Sequence, residues 1–333
     1  MKVSVFGSGA WGTAISLLLC ENGHTVTLWS KFESEIETIL KTRENPLLSG
    51  VYIPEEINII SNIEEATIGA GAAIIAVPSF AVREITDELA GWIDESCDVI
   101  CMSKGIEKDT SSLFTGILKE TLGEGIPIAS VSGPTHAEEV ALRIPTACVA
   151  ASEDIFVAER VQSLLMNANF RVYTSNDVVG VELGAALKNV IALSAGICDG
   201  LGLGDNTLAT LMTRGLAEMA ELSVRMGGRK ETLAGLAGLG DLIVTCMSRH
   251  SRNRRAGVFI GKGMSAEEAL IEVGAVVEGY YAAKAAYVLA EKLGVDMPIC
   301  NEVYKVLFEK KPPHDSMVDL MSRRRKAEYS TGE

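Results

Sequence analysis

The sequence predicts an α/β fold in two parts, an N-terminal Rossmann-type parallel sheet domain over residues 1–177 and an all-helical C-terminal domain over residues 178–333. Three observations predict it. Apolar strand-like runs alternate with helical segments in the first half, a glycine-rich turn follows the first run, and strand-like runs nearly vanish after Asp177. Continuously apolar strands separated by helices are typical of a parallel sheet covered on both faces.

The first half of the chain alternates between strands and helices. The predicted strands are Lys2–Phe6, His24–Trp29, Ala72–Val77, Asp98–Met102, Ile126–Val131, Thr146–Ala151 and Phe170–Thr174. The predicted helices between them are Ala10–Glu21, Glu33–Lys41, Val82–Trp92, Ser111–Leu122 and Ile155–Asn167. After residue 177 the predicted elements are the helices Val178–Cys198, Leu208–Met226, Ala266–Val273, Tyr280–Leu293 and Cys300–Leu307.

Composition limits the classes of function. The 333 residues carry 44 acidic against 30 basic side chains, and 47% of them are apolar, as in a compact globular protein. Because nucleic acids and anionic membranes attract basic surfaces, a net charge of −14 argues against binding to either. No uninterrupted apolar stretch reaches the ~18 residues of a membrane span, so membrane insertion is not expected.

The seven cysteines indicate a reducing compartment. They are scattered, most of them in apolar runs, and no Cys-x-x-Cys pair occurs, so neither a zinc site nor a redox pair is predicted. Buried, reduced thiols are the expected state, which favours a cytoplasmic location. No cluster of metal-ligand residue types is visible, and no metal is expected.

A glycine-rich turn, Gly7-Ser-Gly9-Ala-Trp-Gly12, stands between the first strand and the first helix. In a GxGxxG turn the first glycine permits the sharp bend, the second lets a pyrophosphate approach the backbone, and the third lets helix and strand pack closely. The helix then offers free N–H groups and the positive end of its dipole to the phosphates. A bare GxGxxG is a weak signal, but at the head of a βαβ unit it predicts dinucleotide binding.

The end of the second strand, Leu28-Trp-Ser-Lys31, bears on which dinucleotide binds. A Rossmann protein that prefers NAD usually has an acid there for the ribose hydroxyls. Ser30 and Lys31 suit a 2′-phosphate instead, which favours NADPH, while the neighbouring Glu33 leaves NAD open. Lys31 is nearly as well interpreted as an ordinary exposed lysine.

Two isolated charges stand in apolar surroundings. Lys188 is the one charge in GAALKNVIALSAGIC, and Asp241 is the one charge in TLAGLAGLGDLIVTCM. Desolvation lowers the pKa of a buried lysine, which then serves as a general base or acid near neutral pH. A buried carboxylate must pair or be protonated, so Lys188 is its obvious partner. The plainer alternatives are a lysine that snorkels from its helix and an aspartate that caps one.

Polar residues also follow two strands of the predicted sheet. Lys104 comes directly after DVICMS, and Gly133-Pro-Thr-His-Ala137 follows the next strand. Ligands of open α/β folds bind outside the carboxyl ends of strands. Each segment alone is explained by a turn, but two in register predict a crevice.

A basic segment interrupts this acidic chain at Ser248-Arg-His-Ser-Arg-Asn-Arg-Arg255, where four of eight residues are arginine. No acid occurs from Leu242 to Ala266. Fixed cations and N–H donors suit a phosphate. The segment is therefore interpreted as an anion site, with a solvated basic loop as the alternative.

Stretches over nearly the whole chain carry a family resemblance. They are GSGAWGT at 7–13, AVPS at 76–79, SKGIE at 103–107, SGPTHAEEVA at 132–141, ELGAALKNVIALSAGICDG at 182–200, GLAGLGDLIVTCMSRHSRNRRAG at 235–257 and VVEGYYAA at 276–283. The sequence resembles the bacterial NAD(P)-dependent glycerol-3-phosphate dehydrogenases. Its long KNV and GLGDL…SRNRR blocks are specific to that family, beyond the shared Rossmann turn.

The resemblance implies a role for each matching residue. Lys188 would accept the proton of the substrate's C2 hydroxyl, with Asp241 as the acidic partner. The implied substrate-binding residues are Lys104, Gly133, Thr135, Lys188, Asn189, Asp241, Ser251, Arg252 and Asn253. The implied cofactor-binding residues are Gly7, Gly9, Ala10, Trp11, Gly12, Lys31, Lys104, Ala137, Arg252, Val276 and Glu278. Two departures stand out, since the family often has Ser in place of Ala10 and Phe in place of His136. No chemical role is assigned to His136.

The resemblance implies a cytoplasmic homodimer that interconverts dihydroxyacetone phosphate and sn-glycerol 3-phosphate with NADP or NAD and supplies glycerol phosphate for phospholipid synthesis. Two other classes remain open. Another Rossmann dehydrogenase with a helical second domain would act on a hydroxy acid or sugar acid, although the SRNRR segment suits phosphate better than carboxylate. A non-catalytic protein that senses NAD(P)H would leave Lys188 and Asp241 unexplained.

Overall fold

A computed structural model describes residues 1–325, 327 and 328, and over them the N-terminal half forms an eight-stranded sheet. The strands are β1 (Lys2–Phe6), β2 (Thr25–Trp29), β3 (Asn58–Ile60), β4 (Ala72–Ile75), β5 (Asp98–Cys101), β6 (Ile128–Ser132), β7 (Thr146–Ala151) and β8 (Phe170–Ser175). Their order across the sheet is β3-β2-β1-β4-β5-β6-β7-β8. Apart from β3, which lacks a long apolar run, these strands were predicted from the sequence to within a few residues.

Helices cover both faces of the sheet. They are α1 (Ala10–Glu21), α2 (Glu33–Thr42), α3 (Ile63–Thr67), α4 (Val82–Leu89), α5 (Phe114–Leu122), α6 (Ala137–Ala141) and α7 (Ile155–Leu165). One apolar layer joins the sheet to α1, α2 and α7, and a second layer joins the opposite face to α3, α4 and α5. This arrangement confirms the predicted Rossmann-type sheet covered on both faces.

The sheet is parallel only from β1 to β6 among the described strands. β6 pairs with β7 in antiparallel register, and β7 pairs with β8 in parallel register, so the last two strands run opposite to the first six. Only the five-residue helix α6 lies between β6 and β7. The predicted Rossmann-type parallel sheet is confirmed as mostly parallel, and the antiparallel junction of β6 with β7 was not predicted.

The second half is helical. Its elements are α8 (Val178–Gly200), α9 (Asp205–Arg225), α10 (Lys230–Leu233), a π-helical turn (Leu236–Gly240), α11 (Asp241–Met247), α12 (Arg252–Gly261), α13 (Ala266–Val273), α14 (Glu278–Leu293), α15 (Pro298–Phe308) and α16 (Pro313–Met321). The domain boundary predicted at residue 177 lies in the short link between β8 and α8, and it stays a prediction.

Helix α8 is the centre of this half. It packs against α9, α11, α12 and α14, and most of its side chains are buried. By length and composition alone α8 could cross a membrane, but 94% of its most apolar window is buried inside the protein. Its apolar character is therefore explained by its place in the core, as the sequence analysis expected when it assigned no span.

Helices α8 and α12 touch backbone to backbone. A Cβ placed on Gly257 would lie 2.0 Å from the carbonyl oxygen of Leu193, and one on Gly196 would lie 2.0 Å from that of Arg254. No side chain fits in such a gap, because even a single carbon needs more than 3 Å. These glycines bring the beginning of α12 directly against the middle of α8.

Candidate functional site

The glycine-rich turn has the geometry that its spacing predicts. Gly7 has φ +120°, and a Cβ there would lie 2.6 Å from the carbonyl oxygen of Ala76. A Cβ on Gly12 would lie 1.8 Å from the carbonyl oxygen of Gly7, so this glycine allows α1 to pack on the turn. A Cβ on Gly9 would meet no atom within 4 Å. The open side of Gly9 at the start of α1 is where a phosphate can approach the backbone.

Two residues predicted to bind the cofactor have buried polar side-chain atoms without a hydrogen-bond partner in the protein. Trp11, in the first turn of α1, has its Nε1 buried without a hydrogen bond, and so does Oε2 of Glu278 at the start of α14. The other oxygen, Oε1 of Glu278, accepts the N–H of Ser79 at 3.1 Å, which ties the helical half to the loop after β4. A bound group with a hydrogen-bond donor and acceptor would satisfy both orphaned atoms. Together with the open turn, they make these residues fit a dinucleotide.

The carboxyl end of β2 is more acidic than the sequence suggested. Lys31 forms an ion pair with Glu84 and lies 3.8 Å from a carboxylate oxygen of Glu88, both on α4. Ser30 is buried and donates to Oε2 of Glu35 at 2.7 Å. The same oxygen accepts the hydroxyl of Ser8 from the glycine-rich turn at 2.6 Å. The sequence analysis missed Glu35, because this residue lies in α2 and not at the end of β2, where the dinucleotide-binding motif usually places its acid.

Three charged side chains meet where the carboxyl ends of β5 and β6 face α8. Asp241 is 1% exposed, and its carboxylate pairs through Oδ1 with Nζ of Lys188, which is 5% exposed. Its Oδ2 accepts Nζ of Lys104 at 2.9 Å. The predicted pair of Lys188 and Asp241 is therefore present in the structure, with Lys104 as a second cation on the same carboxylate.

Further hydrogen bonds fix the two lysines. Nζ of Lys188 donates to the hydroxyl of Thr245 at 3.0 Å, one helical turn after Asp241. Nζ of Lys104 donates to the carbonyl of Gly133 at 3.0 Å and to the hydroxyl of Thr135 at 3.3 Å. Thr245 was not singled out from the sequence, although a hydroxyl four residues after a buried aspartate on one helix face was a usable signal.

Burial and neighbouring charges shift the pKa values of Lys188 and Asp241. Burial lowers the pKa of Lys188 to about 7, with the negative charge of Asp241 opposing and the positive charge of Lys104 assisting. Burial alone would raise the pKa of Asp241, but the charges of Lys104 and Lys188 outweigh it and hold that pKa below its usual range. Near neutral pH, Asp241 is thus ionised while Lys188 exchanges a proton readily.

His136 lies beside this cluster, between Thr135 and Ala137. Its Nε2 is buried without a hydrogen-bond partner. Burial lowers the pKa of His136, and the positive charge of Lys188 lowers it further, so the ring is neutral at neutral pH. Ala137 begins α6 directly after it and is buried.

Asn189 and Asn253 form an internal bridge between helices. Nδ2 of Asn253 donates to Oδ1 of Asn189 at 2.9 Å, and Oδ1 of Asn253 accepts the N–H of Gly279 at 2.8 Å. Nδ2 of Asn189 donates to the carbonyl of Ala185 at 3.2 Å. The sequence analysis assigned both asparagines to the substrate. In the structure their amides join α8, α12 and α14, and the assignment to substrate stays a prediction.

The basic segment divides into residues with different surroundings. Ser251 is buried and caps α12, since its hydroxyl accepts the N–H of Arg254 at 3.2 Å. Arg254 donates to a carboxylate oxygen of Asp199 at 2.8 Å, whereas Arg252 and Arg255 are exposed. The charge of Arg252 acts on Glu278, so Arg252 lies at the crevice. Residues 248–251 form a turn and α12 begins at Arg252, so the segment combines a turn with a helix start, and its interpretation as an anion site stays a prediction.

The geometry can bind a dinucleotide and move a proton next to it. The cluster of Lys104, Lys188 and Asp241 joins the carboxyl ends of the strands to the helical half. Glu278 contacts the loop at Ser79, and Arg252 lies near Glu278, so both are on the side of the glycine-rich turn. Val276, also predicted at the cofactor, is half-buried just before α14. Within the described part of the chain, no group of three His, Cys, Asp or Glu side chains is placed to hold a metal ion.

Comparisons with known proteins assign both halves to one family. The family model for the N-terminus of NAD-dependent glycerol-3-phosphate dehydrogenase matches residues 2–158, and the model for its C-terminus matches residues 177–318. A glycerol-3-phosphate dehydrogenase [NAD(P)+] of Thermoanaerobacter sp. (strain X514) is 51% identical over 328 residues, which cover 98% of this chain and 99% of that protein. One of Agathobacter rectalis is 49% identical over 334 residues, covering 99% of this chain and 98% of that protein.

Solved structures agree with this assignment. The crystal structure of a glycerol-3-phosphate dehydrogenase from Coxiella burnetii has a TM-score of 0.93 at 36% identity, covering 97% of this chain and 99% of that chain. A D-mandelate dehydrogenase has a TM-score of 0.64 at 15% identity, covering 96% of this chain and 100% of that chain, which shows a shared fold alone.

Proposed function

Because the chain belongs to the NAD-dependent glycerol-3-phosphate dehydrogenase family, we propose that its buried cluster of Lys188, Asp241 and Lys104 is the site where sn-glycerol 3-phosphate and dihydroxyacetone phosphate are interconverted. The chain is an oxidoreductase that uses NAD or NADP. The hydride acceptor or donor is the nicotinamide of that cofactor, and the protein supplies position, polarity and the proton.

The observation that carries the proposal is the buried pair of Lys188 and Asp241. With its pKa lowered to about 7 by burial, Nζ of Lys188 takes the C2 hydroxyl proton during oxidation and returns it during reduction. Asp241 keeps its negative charge and, with Thr245, fixes the position of Nζ. The positive charge of Lys104 on the far side of Asp241 stabilises negative charge that develops on the C2 oxygen.

The same proposal gives the remaining residues supporting roles. Gly133 and Thr135 hold Lys104 at the substrate, and Arg252 at the start of α12 faces the phosphate and the cofactor. The helix start adds free N–H groups to the arginine charge, which suits a phosphate. Ser251 and Asn253 keep that helix start in place, since the hydroxyl of one caps it and the amide of the other bridges to Asn189.

A family of this kind implies a small phosphorylated substrate. We also propose, from the resemblance, that the protein works in the cytoplasm as a homodimer and provides glycerol phosphate for phospholipid synthesis. The other classes considered from the sequence, a hydroxy-acid dehydrogenase and a non-catalytic NAD(P)H sensor, are not favoured, because the relatives that cover the whole chain are glycerol-3-phosphate dehydrogenases.

The experiment is an absorbance assay of NADPH or NADH with dihydroxyacetone phosphate. The protein is expected to consume the reduced cofactor, and Lys188→Ala to lower kcat by about 100-fold or more, since proton transfer by a placed side chain contributes on that order. Cofactor binding by the variant, followed by fluorescence titration, should stay near normal. Lys230→Ala, at an exposed lysine on α10, is the matched control. Absence of turnover in the unmodified protein would refute the function, and near-normal turnover of Lys188→Ala would refute the role of Lys188.

A further inference from the structure

The residues at the carboxyl end of β2 bear on the choice between NAD and NADP, which neither the fold nor the relatives decide. In Rossmann folds this is the place where the adenosine ribose is recognised, by an acid on the 2′-hydroxyl for NAD or by a cation on the 2′-phosphate for NADP. Ser30 and Lys31 stand there and suggested NADPH from sequence. Their surroundings in the structure point in the other direction.

Glu35 takes the place of the acid that the strand end lacks. Its Oε2 accepts two hydroxyl hydrogen bonds, from Ser8 at 2.6 Å and from Ser30 at 2.7 Å. Ser8 lies in the glycine-rich turn and Ser30 at the end of β2, so the two segments that flank an adenosine ribose share one carboxylate. Hydrogen bonds from two hydroxyls hold this carboxylate in place.

Lys31 does not present an uncompensated positive charge. Its Nζ pairs with Glu84 and lies near Glu88, and the hydrogen bond that Lys31 donates to Glu84 raises the pKa of Lys31 above its usual value. Exposed ion pairs of this kind are weak, so the pair alone would not prevent Lys31 from contacting a phosphate. The sum of the charges around the end of β2 determines whether a 2′-phosphate is attracted or repelled there.

Three carboxylates lie at this strand end, those of Glu84 and Glu88 beside Lys31 and that of Glu35 at Ser30. A 2′-phosphate would add nearly two more negative charges. Charges within about 8 Å of one another are only partly screened at physiological salt, so the phosphate would meet net repulsion. A ribose hydroxyl meets none, and it can donate to a carboxylate.

We propose that Glu35, held by Ser8 and Ser30 in an acidic surrounding, is a specificity-determining residue that makes this protein bind NADH more tightly than NADPH. The inference rests on the use of nicotinamide dinucleotides stated above. It assigns the selection to the carboxylate of Glu35 and gives Lys31 no selective role.

The test is fluorescence titration of NADH and of NADPH against the full chain, without substrate. The unmodified protein is expected to bind NADH at least about 10-fold more tightly, which corresponds to about 1.4 kcal/mol. Glu35→Gln should narrow that ratio several-fold by tightening NADPH, and Glu84→Gln should narrow it less. Glu37→Gln, at an exposed glutamate on the same helix, should leave the ratio unchanged. Lys31→Met should weaken neither cofactor selectively.

Three results would overturn the proposal. They are tighter binding of NADPH by the unmodified protein, a selective loss of NADPH binding in Lys31→Met, and equal weakening of both cofactors in Glu35→Gln. The last result would mean that Glu35 only supports the glycine-rich turn. Failure to bind either dinucleotide would instead count against the proposed function itself, so the two failures are distinguishable.

Discussion

Burial and ion pairing together allow the side chain of Lys188 both to accept and to donate a proton. An isolated lysine in a core would simply lose its proton, and one fully paired with a carboxylate would keep it. Here burial lowers the pKa of Lys188 to about 7; the charge of Asp241 opposes this shift, and the positive charge of Lys104 on the same carboxylate assists it. The residue can therefore accept and donate a proton under the same conditions.

The two exposed arginines of α12 should differ in their effect on the phosphorylated substrate. Arg252→Ala is expected to raise KM for dihydroxyacetone phosphate about 10- to 100-fold, because a charge-assisted hydrogen bond contributes about 1.5–3 kcal/mol. Arg255→Ala, one helical turn away, should change KM less than about twofold, which an initial-rate series would establish. Equal effects of the two substitutions would indicate an undivided basic patch.

Sequence reasoning at this scale worked where a charge was isolated. Lys188 and Asp241 stand alone in apolar runs, so burial and mutual pairing followed from elementary electrostatics. Glu35 gave no such signal, because it is one of several acids on an exposed helix, and its contacts with Ser8 and Ser30 depend on tertiary structure. Asn253 was recognised as important, yet the helix bridge that its amide makes is not visible in sequence spacing.

At the scale of secondary-structure elements, the contact between α8 and α12 positions several residues of the candidate site. Lys188 and Asn189 lie on one helix and Arg252 and Asn253 begin the other, and the facing glycines Gly196 and Gly257 bring the two backbones into contact. Such close approach also allows weak Cα–H···O contacts between helices. This backbone contact and the bridge from Asn253 to Asn189 together fix the distance between Lys188 and the start of α12.

Gly257→Ala should therefore be damaging although it is a small change. The added Cβ would lie 2.0 Å from the carbonyl oxygen of Leu193, so the helices must separate, at a cost of about 3 kcal/mol or more. Urea denaturation should show the loss, together with a raised KM for substrate. Gly116→Ala, on α5 with no atom within 4 Å of the new Cβ, is the matched control and should be neutral or slightly stabilising. Similar stability of the two variants would contradict the close contact.

Long elements with a clear period were predicted well, and short or context-dependent ones were not. Helix α12 was missed because arginine, serine and asparagine near its start gave it no apolar stripe. Its helical state depends on the Ser251 cap and on packing against α8. The reversed direction of β7 was missed because the apolar pattern of a strand is the same in either direction.

At the scale of the whole molecule, two buried glutamates join distant segments at helix starts. Glu182 accepts the hydroxyl of Thr115 at 2.6 Å and its N–H at 3.1 Å at the start of α5. Glu218 accepts the N–H groups of Ile299 at 2.8 Å and Cys300 at 3.2 Å at the start of α15. Burial raises the pKa of each glutamate to about 7 in spite of these hydrogen bonds.

These groups should make stability depend on pH. Between pH 4.5 and about 7 the folded chain holds protons on Glu182 and Glu218 that the unfolded chain has released, so their contribution to the free energy of unfolding falls as pH rises. Lys188 acts oppositely. From about pH 7 to 10.5 the unfolded chain holds a proton that folded Lys188 lacks, so its contribution rises with pH.

Glu182→Gln should remove one part of this dependence. We expect its free energy of unfolding, relative to the unmodified protein, to increase from pH 5 to pH 8 by an amount on the order of 3 kcal/mol. Urea denaturation at several pH values would measure it, and Glu231→Gln, at an exposed glutamate on α10, would serve as the control. Identical pH profiles for Glu182→Gln and the unmodified protein would mean that the Glu182 carboxyl does not titrate in this range.

The reversal of β7 and β8 has a consequence for how the two halves are joined. Because these strands run backwards, β8 ends toward the amino ends of the first six strands, and α8 starts there. Over its 23 residues, about 34 Å, α8 runs back beside β6 and β7, and Lys188 lies about 15 Å from its start. Had the strands kept their direction, α8 would have started at the strand ends that carry Lys104 and left them. The reversed strands thus allow α8 to bring Lys188 to the strand ends that carry Lys104.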